Sequence, residues 1–167
     1  MKPLHIVGGV YRECCVHPRW NQIYGSAGRA ALAIATLGTP VVLHSYMNDC
    51  AAQTIKDNGA LLDTFQVIQE EVSDIVRFNY LYDMAVPDIR GVPAQPYPSL
   101  CVAEEKVVRF GMLEGDAVVQ AEWAVYDPQN GHKGAPFGAN GSTANHLALV
   151  LNAYEAGKMA GMQGEVP

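Results

Sequence analysis

The sequence lacks any run of about eighteen apolar residues, the length a helix needs to cross a bilayer. It also lacks a lysine or arginine cluster that would neutralise a phosphate backbone. Basic residues number 11 against 17 acidic ones, a net charge of -6, so nucleic acid is not an expected partner. Residues 1–10 hold one lysine and no small-residue cleavage site, and the expected location is cytoplasmic. Four cysteines, Cys14, Cys15, Cys50 and Cys101, have neither paired metal spacing nor the density of a disulfide scaffold. They are expected to be reduced thiols packed mostly inside. Cys14, Cys15 and His17 are metal-ligating types, but adjacent side chains on an extended segment face opposite ways. No G-x-G-x-x-G follows a strand, which argues against a dinucleotide fold.

What remains is globular: 167 residues, 49% of them hydrophobic and 17% charged, enough for one domain with a sizeable core. Residues 4–10 are apolar and end near Gly8-Gly9, as a buried strand running into a turn does. Residues 12–24 read as a strand pair or a loop. Residues 26–37 (SAGRAALAIATL) predict a helix, with Ser26 placed to cap it and Gly38 to stop it. A strand over 40–45 and a helix over 50–58, begun by Asn48-Asp49 and ended by Gly59, complete an alternation that favours a parallel sheet. Further strands are expected over 61–67, 73–82, 106–113, 124–126 and 146–151. Short helices are expected from Gly115-Asp116 through Trp123 and over 153–161. Pro87, Pro93, Pro96 and Pro98 forbid a helix and predict a long irregular connection. A glycine-rich loop is expected over 131–141, and His5, His44 and His146 are read as core histidines.

Near the end, L-N-A-Y-E-A-G-K-M-A-G places Asn152 after a strand and Glu155 in the first turn of a helix. An amide and a carboxylate there suit hydrated Mg²⁺ and phosphate oxygens. They equally suit a plain helix start with an acidic first turn.

The succession of motifs resembles the N-terminal half of the ribokinase-like, or PfkB-type, carbohydrate and nucleoside kinases. V-G-G-V-Y-R-E offers Glu13 after the first strand, and G-S-A-G-R-A-A-L-A-I-A-T-L-G runs from Gly25 to Gly38. Y-M-N-D ends at Asp49, V-Y-D-P contains Asp127-Pro128, and N-x-x-E is Asn152 with Glu155. The resemblance implies a ribokinase-like α/β/α fold over residues 1–167, mostly parallel, with a small β lid drawn from about 11–24 and 73–92. It implies Glu13, Gly25, Ser26, Arg29 and Asp49 on the substrate side. Asn152 and Glu155 would be on the nucleotide side, with Glu155 at the metal. The implied reaction is phosphoryl transfer from ATP, with Mg²⁺, to a hydroxyl of a sugar, sugar phosphate or nucleoside.

Glu13 stands where the family has aspartate, Arg29 where it has asparagine, and Met47 where it has the glycine before the acidic turn. Arginine donates only, so Arg29 favours an anionic substrate group or pairs with Glu13 or Asp49. The family's G-A-G-D catalytic segment has no counterpart after Asn152. Asp116 in G-M-L-E-G-D comes before Asp127-Pro128 and Asn152, the wrong place for that segment, and is read as a helix cap. The expectation is a substrate-binding half without kinase activity as the isolated chain, with a homodimer or a partner supplying the C-terminal half as the expected assembly. The alternative is a non-catalytic ligand-binding or dimer-assembly module, a homodimer joined through the aromatic lid.

Overall fold

The computed structural model describes residues 2–129 and 135–160. Leu4–Val7 (β1) buries Ile6 and Val7 completely, each in a different core cluster, because successive strand side chains point to opposite faces. Residues 12–23 are a strand pair: Arg12–His17 (β2) runs antiparallel to Trp20–Ile23 (β3). Gly25–Thr36 (α1) then starts without a side-chain cap. Ser26 lies inside its first turn and does not cap it, because Gly25 at φ +61° turns the chain from β3 straight into the helix. Gly38 at φ +83° ends α1 as expected, its N–H reaching Ala35 O.

Val41–Met47 (β4) leads into Asp49–Asn58 (α2), where the Asn48 side chain accepts from Ala51 N at 2.9 Å and Gly59 closes the helix. The next strand, Phe65–Glu71 (β5), sits later than the expected 61–67. Successive turn bonds from Leu62 N to Gly59 O and from Phe65 N to Leu62 O occupy the earlier residues, and Leu61 is fully exposed. Arg77–Tyr82 (β6) follows, and the proline-rich stretch contains one short strand, Asp88–Arg90 (β7), at a sheet edge where proline neighbours are tolerated.

Leu100–Phe110 (β8) and Ala117–Asp127 (β9) are long parallel strands. The expected helix ending at Trp123 is not formed. Val118, Val119 and Trp123 favour strand, Ala117 and Val119 are buried on one face, and the Asp116 carboxylate is engaged elsewhere. Thr143–Leu149 (β10) and Ala153–Met159 (α3) complete the described elements, after a 3₁₀ turn Phe137–Asn140. The glycine-rich loop lies partly outside the described residues, as does Gly161.

Two sheets result. The larger has the order β10-β9-β8-β1-β4-β5 and is parallel throughout; the smaller has the order β3-β2-β6-β7. The α/β class with a mostly parallel sheet is as expected. Helices α1 and α2 pack on one face through Ala27, Ala31, Ala35, Ala51 and Ile55. The other face carries the end of α3 and the first halves of β8 and β9. Asp116 and Tyr126 would lie about 33 Å apart along a straight strand. Yet the Arg109 guanidinium is 2.6 Å from Asp116 Oδ1 and 4.6 Å from the Tyr126 ring centre. The strand therefore bends back on itself. This bend is why residues 111–116 suffice for a parallel crossover that ordinarily takes a dozen or more residues.

Among the cysteines only Cys15 is buried; Cys14 is half-buried, and Cys50 and Cys101 are exposed, correcting the interior reading. His5 is buried, but His146 is exposed and stacks on Trp123 at 3.8 Å, so it is not a core histidine. No described helix is long and apolar enough to cross a membrane.

Candidate functional site

A cavity of about 300 Å³ lies between the carboxyl ends of β8 and β9 and the inner face of the small sheet. Register builds that inner face. Glu13 on β2 is opposite Phe78 on β6, which is opposite Ile89 on β7, and Cys15 is opposite Tyr80. Glu13, Phe78, Tyr80 and Ile89 all line the cavity. Tyr11 and Ser26 come from the chain leaving β1 and from the start of α1, while Leu113 and Gln129 follow β8 and β9.

Gly25 brings α1 to this place. A Cβ there would stand 2.3 Å from the Gly9 carbonyl oxygen, so only glycine allows the helix start to touch the turn after β1. Arg29, one turn along α1, donates from Nη2 to Glu13 Oε2 and lies with its guanidinium 5.2 Å from the Tyr24 ring centre. The choice left open by the sequence falls to pairing with Glu13. Asp49 does not line the cavity; it begins α2 and accepts from Gln69 Nε2 at 3.3 Å.

Behind the cavity wall, Tyr11 donates to the buried Glu114 carboxylate at 2.9 Å, and Leu113 N donates to the same oxygen at 3.1 Å. Burial pushes the Glu114 carboxyl up, and burial beside Glu114 pushes the Tyr11 phenol well up. Glu114 was missed by sequence reasoning; nothing in its spacing marks it.

A second, more open cavity of about 560 Å³ holds Asp127, Asn152 and Glu155, and Gln129 lines both cavities. Asn152 and Glu155 form a reciprocal capping box at the start of α3: Asn152 Oδ1 accepts from Glu155 N, and Glu155 Oε2 accepts from Asn152 N, each at 2.9 Å. The pair is thus a helix start in its first role. Burial raises the Asp127 carboxyl, and the Glu155 charge adds to it against the Gln129 hydrogen bonds. Among the described residues no group of three or more His, Cys, Asp or Glu is arranged to hold a metal. Two carboxylates on one cavity are still the oxygen-only donor set of a hydrated Mg²⁺, which keeps several waters and takes the rest of its shell from phosphates.

Asp116, the lookalike of a catalytic aspartate, does not cap a helix. It receives Arg109 Nη2 at 2.6 Å and Asn140 Nδ2 at 2.7 Å. Arg109 is itself buried, also donating to Phe137 O and Ser142 Oγ, and its Nε has no partner among the described residues.

No protein-family model and no curated protein matches the sequence. Solved structures similar to the chain include a pyrophosphate-dependent kinase in the ribokinase family, complexed with a pyrophosphate analogue and myo-inositol. Its identity is 9% and its TM-score 0.46, over 77% of this chain and 62% of that one. A sulfate complex of a pyrophosphate-dependent kinase in the same family has 11% identity and a TM-score of 0.44, over 71% of this chain and 49% of that one. A microbiome-derived acarbose kinase has 10% identity and a TM-score of 0.49, over 89% of this chain and 70% of that one. The chain thus spans 62% of the length of the first of these.

Proposed function

We propose that the cavity between the two sheets binds the substrate of a sugar or nucleoside phosphotransferase, with the small sheet as its lid. The observation that carries this reading is the position of the cavity. It sits at the carboxyl ends of parallel strands, where open α/β sheets bind ligands, and the second sheet covers it with Glu13, Phe78 and Tyr80. A carboxylate beside flat rings suits a polyhydroxylated ring, accepting from its hydroxyls and packing its C–H face. In this reading Glu13 and Ser26 bind substrate directly, Gly25 sets the approach of α1, and Arg29 orients Glu13. Asp49 orders the turn after β4 and has no direct substrate contact.

The adjoining cavity is the place for a phosphate donor, ATP with Mg²⁺, held by Asp127 and Glu155 through the metal, with Asn152 shaping the start of α3. When bound, Mg²⁺ would screen the charge of the phosphates. The described residues supply binding and positioning.

The test is a titration of the protein with a panel of hexoses, pentoses and nucleosides, followed by NMR. Shifts clustered at Tyr11, Glu13, Ser26, Phe78 and Tyr80 are expected for at least one class. Saturating shifts elsewhere, with none at these residues, would exclude the cavity as the substrate site.

A second reading, an assembly module that dimerises through the small sheet, is favoured by exposed Val16 and Leu81. These alternate with the cavity-facing residues on β2 and β6. Sedimentation of the wild type and of Leu81→Glu distinguishes them: the module requires a dimer that the charge abolishes.

A further inference from the structure

Glu114 does not line the cavity proposed above as the substrate site, yet two residues that do are bonded to it. The Tyr11 hydroxyl donates to Glu114 Oε2 at 2.9 Å, and Leu113 N donates to the same oxygen at 3.1 Å. These two wall residues are 102 positions apart in the chain, and one carboxylate oxygen joins them.

Glu114 is the fixed end of this arrangement. Its side chain is buried, and its carbonyl oxygen accepts from Tyr97 N at 2.8 Å. The next residue, Gly115, lies so near Tyr46 that a Cβ on it would stand 2.7 Å from the ring. Tyr11 is the held end, at the joint between the two sheets. Its carbonyl oxygen accepts from Tyr24 N at 3.1 Å, and the following residue, Arg12, donates from N to Val76 O at 3.0 Å. The Tyr11 ring lies against Gly9, where a Cβ would stand 2.0 Å from its Cζ, and its centre is 5.1 Å from that of Phe78 in the small sheet. Phe78 lines the cavity as well. A line of contact therefore runs from the crossover between β8 and β9, through Glu114 and Tyr11, to the lid.

Hydrogen bonds to an ionised carboxylate are stronger than neutral ones. Moving Tyr11 or residues 111–113 away would leave a buried carboxylate without these donors, which the interior penalises. Packing alone sets no such penalty on a small shift of a ring.

We propose that Glu114 is a positioning residue of the cavity: its carboxylate holds Tyr11 and Leu113 in the wall and, through Tyr11, fixes where Phe78 of the lid stands. This rests on the substrate-site reading and adds to it a residue that touches no substrate.

The experiment is an NMR titration of the full chain with D-glucose, D-ribose and adenosine, following the Phe78 ring and Ile89 methyl signals. Wild type, Glu114→Ala and Glu114→Gln are compared, with Gly38→Ala as a variant destabilised away from the cavity. In Glu114→Ala the ligand-free Phe78 and Ile89 signals should move, and the tightest of the three ligands should bind about tenfold more weakly. Glu114→Gln still offers an oxygen to Tyr11 and Leu113 N and should stay within about threefold of wild type. Gly38→Ala should bind as wild type does. If Glu114→Ala does not fold, Tyr11→Phe must move the same signals and weaken binding several-fold. Wild-type signals and affinity in Glu114→Ala, no rescue by Glu114→Gln, or an equal loss in Gly38→Ala would each overturn the role of Glu114 and leave the substrate site standing. No binding of any of the three at the cavity of the wild type would remove the substrate-site reading and this inference with it.

Discussion

The Arg29 guanidinium of α1 clasps the Glu13 carboxylate of β2, joining the helix under the large sheet to the first strand of the small one. Arg29 is more than half exposed and Glu13 largely covered. The pair therefore adds at most about 1 kcal/mol to stability, and its main effect is on where Glu13 points. In Arg29→Ala the melting temperature should change by about 4 °C or less, while affinity for the best ligand of the panel falls several-fold. Titration and thermal melting of the same sample read both; unchanged affinity would remove Arg29 as a positioning residue.

Gly25 and Gly38 both have positive φ, yet alanine should be tolerated very differently. At Gly38, φ +83°, a new Cβ meets nothing within 4 Å, so Gly38→Ala carries only the left-handed backbone cost of about 1–2 kcal/mol. At Gly25 the same cost is joined by a Cβ 2.3 Å from Gly9 O, and the loss should exceed about 3 kcal/mol. Urea unfolding measures both, and equal losses would show that α1 is free to move away from the β1 turn.

Tyr11→Phe removes a donor to a buried carboxylate, which should cost about 1–3 kcal/mol at neutral pH. The sign with pH follows from linkage. The folded Glu114 pKa is raised, so the native state binds more protons than the unfolded one between the two pKa values, and this group's penalty grows as pH rises through that interval. Losing the Tyr11 hydroxyl raises the Glu114 pKa further. The variant should be closest to wild type at acid pH and furthest from it at neutral pH, in chemical denaturation across pH.

His44 shares a 2.9 Å contact between ring nitrogens with His5, and burial together with His5 lowers its pKa to about 4. Glu104, 3.6 Å from the other His5 nitrogen, opposes that shift. A base depressed on folding binds its proton first in the unfolded state. Stability from this group is present above the ordinary value near 6.5 and is lost as pH falls towards 4. His44→Gln should flatten the melting temperature against pH across this window. A slope identical to wild type would show that His44 does not set it.

Purified protein with ATP, Mg²⁺ and the best-binding sugar should show no phosphoryl transfer. Asp116, the aspartate whose sequence context is like a catalytic one, is held by Arg109 and Asn140 and does not line the cavity between the two sheets. Turnover measured as sugar phosphate would overturn this, and turnover surviving in Asp116→Asn would place the base elsewhere.

Elements with local signals are legible in the sequence. Alanine spacing and Gly38 mark α1, Asn48 and Gly59 bracket α2, and Asn152 with Glu155 writes the capping box of α3, because capping and left-handed turns depend on a few adjacent residues. Strand alternation with helices marks the parallel sheet, and the motif order points to Glu13 and Ser26, which line one cavity. Tertiary structure decided what depends on distant partners. Gly115-Asp116 reads as a helix start, yet Arg109 and Asn140 take the carboxylate and Val118-Val119 extends as strand. Arg29 could reach several groups by spacing, and only the folded chain, which brings the start of α1 beside Glu13, made the pair. Glu114 had no signal of its own, because its value lies in burial against Tyr11, 103 positions away. Basic residues are few in the sequence, and only the fold pairs Arg29 with Glu13 and leaves no lysine, arginine or histidine among the described residues that line the cavity.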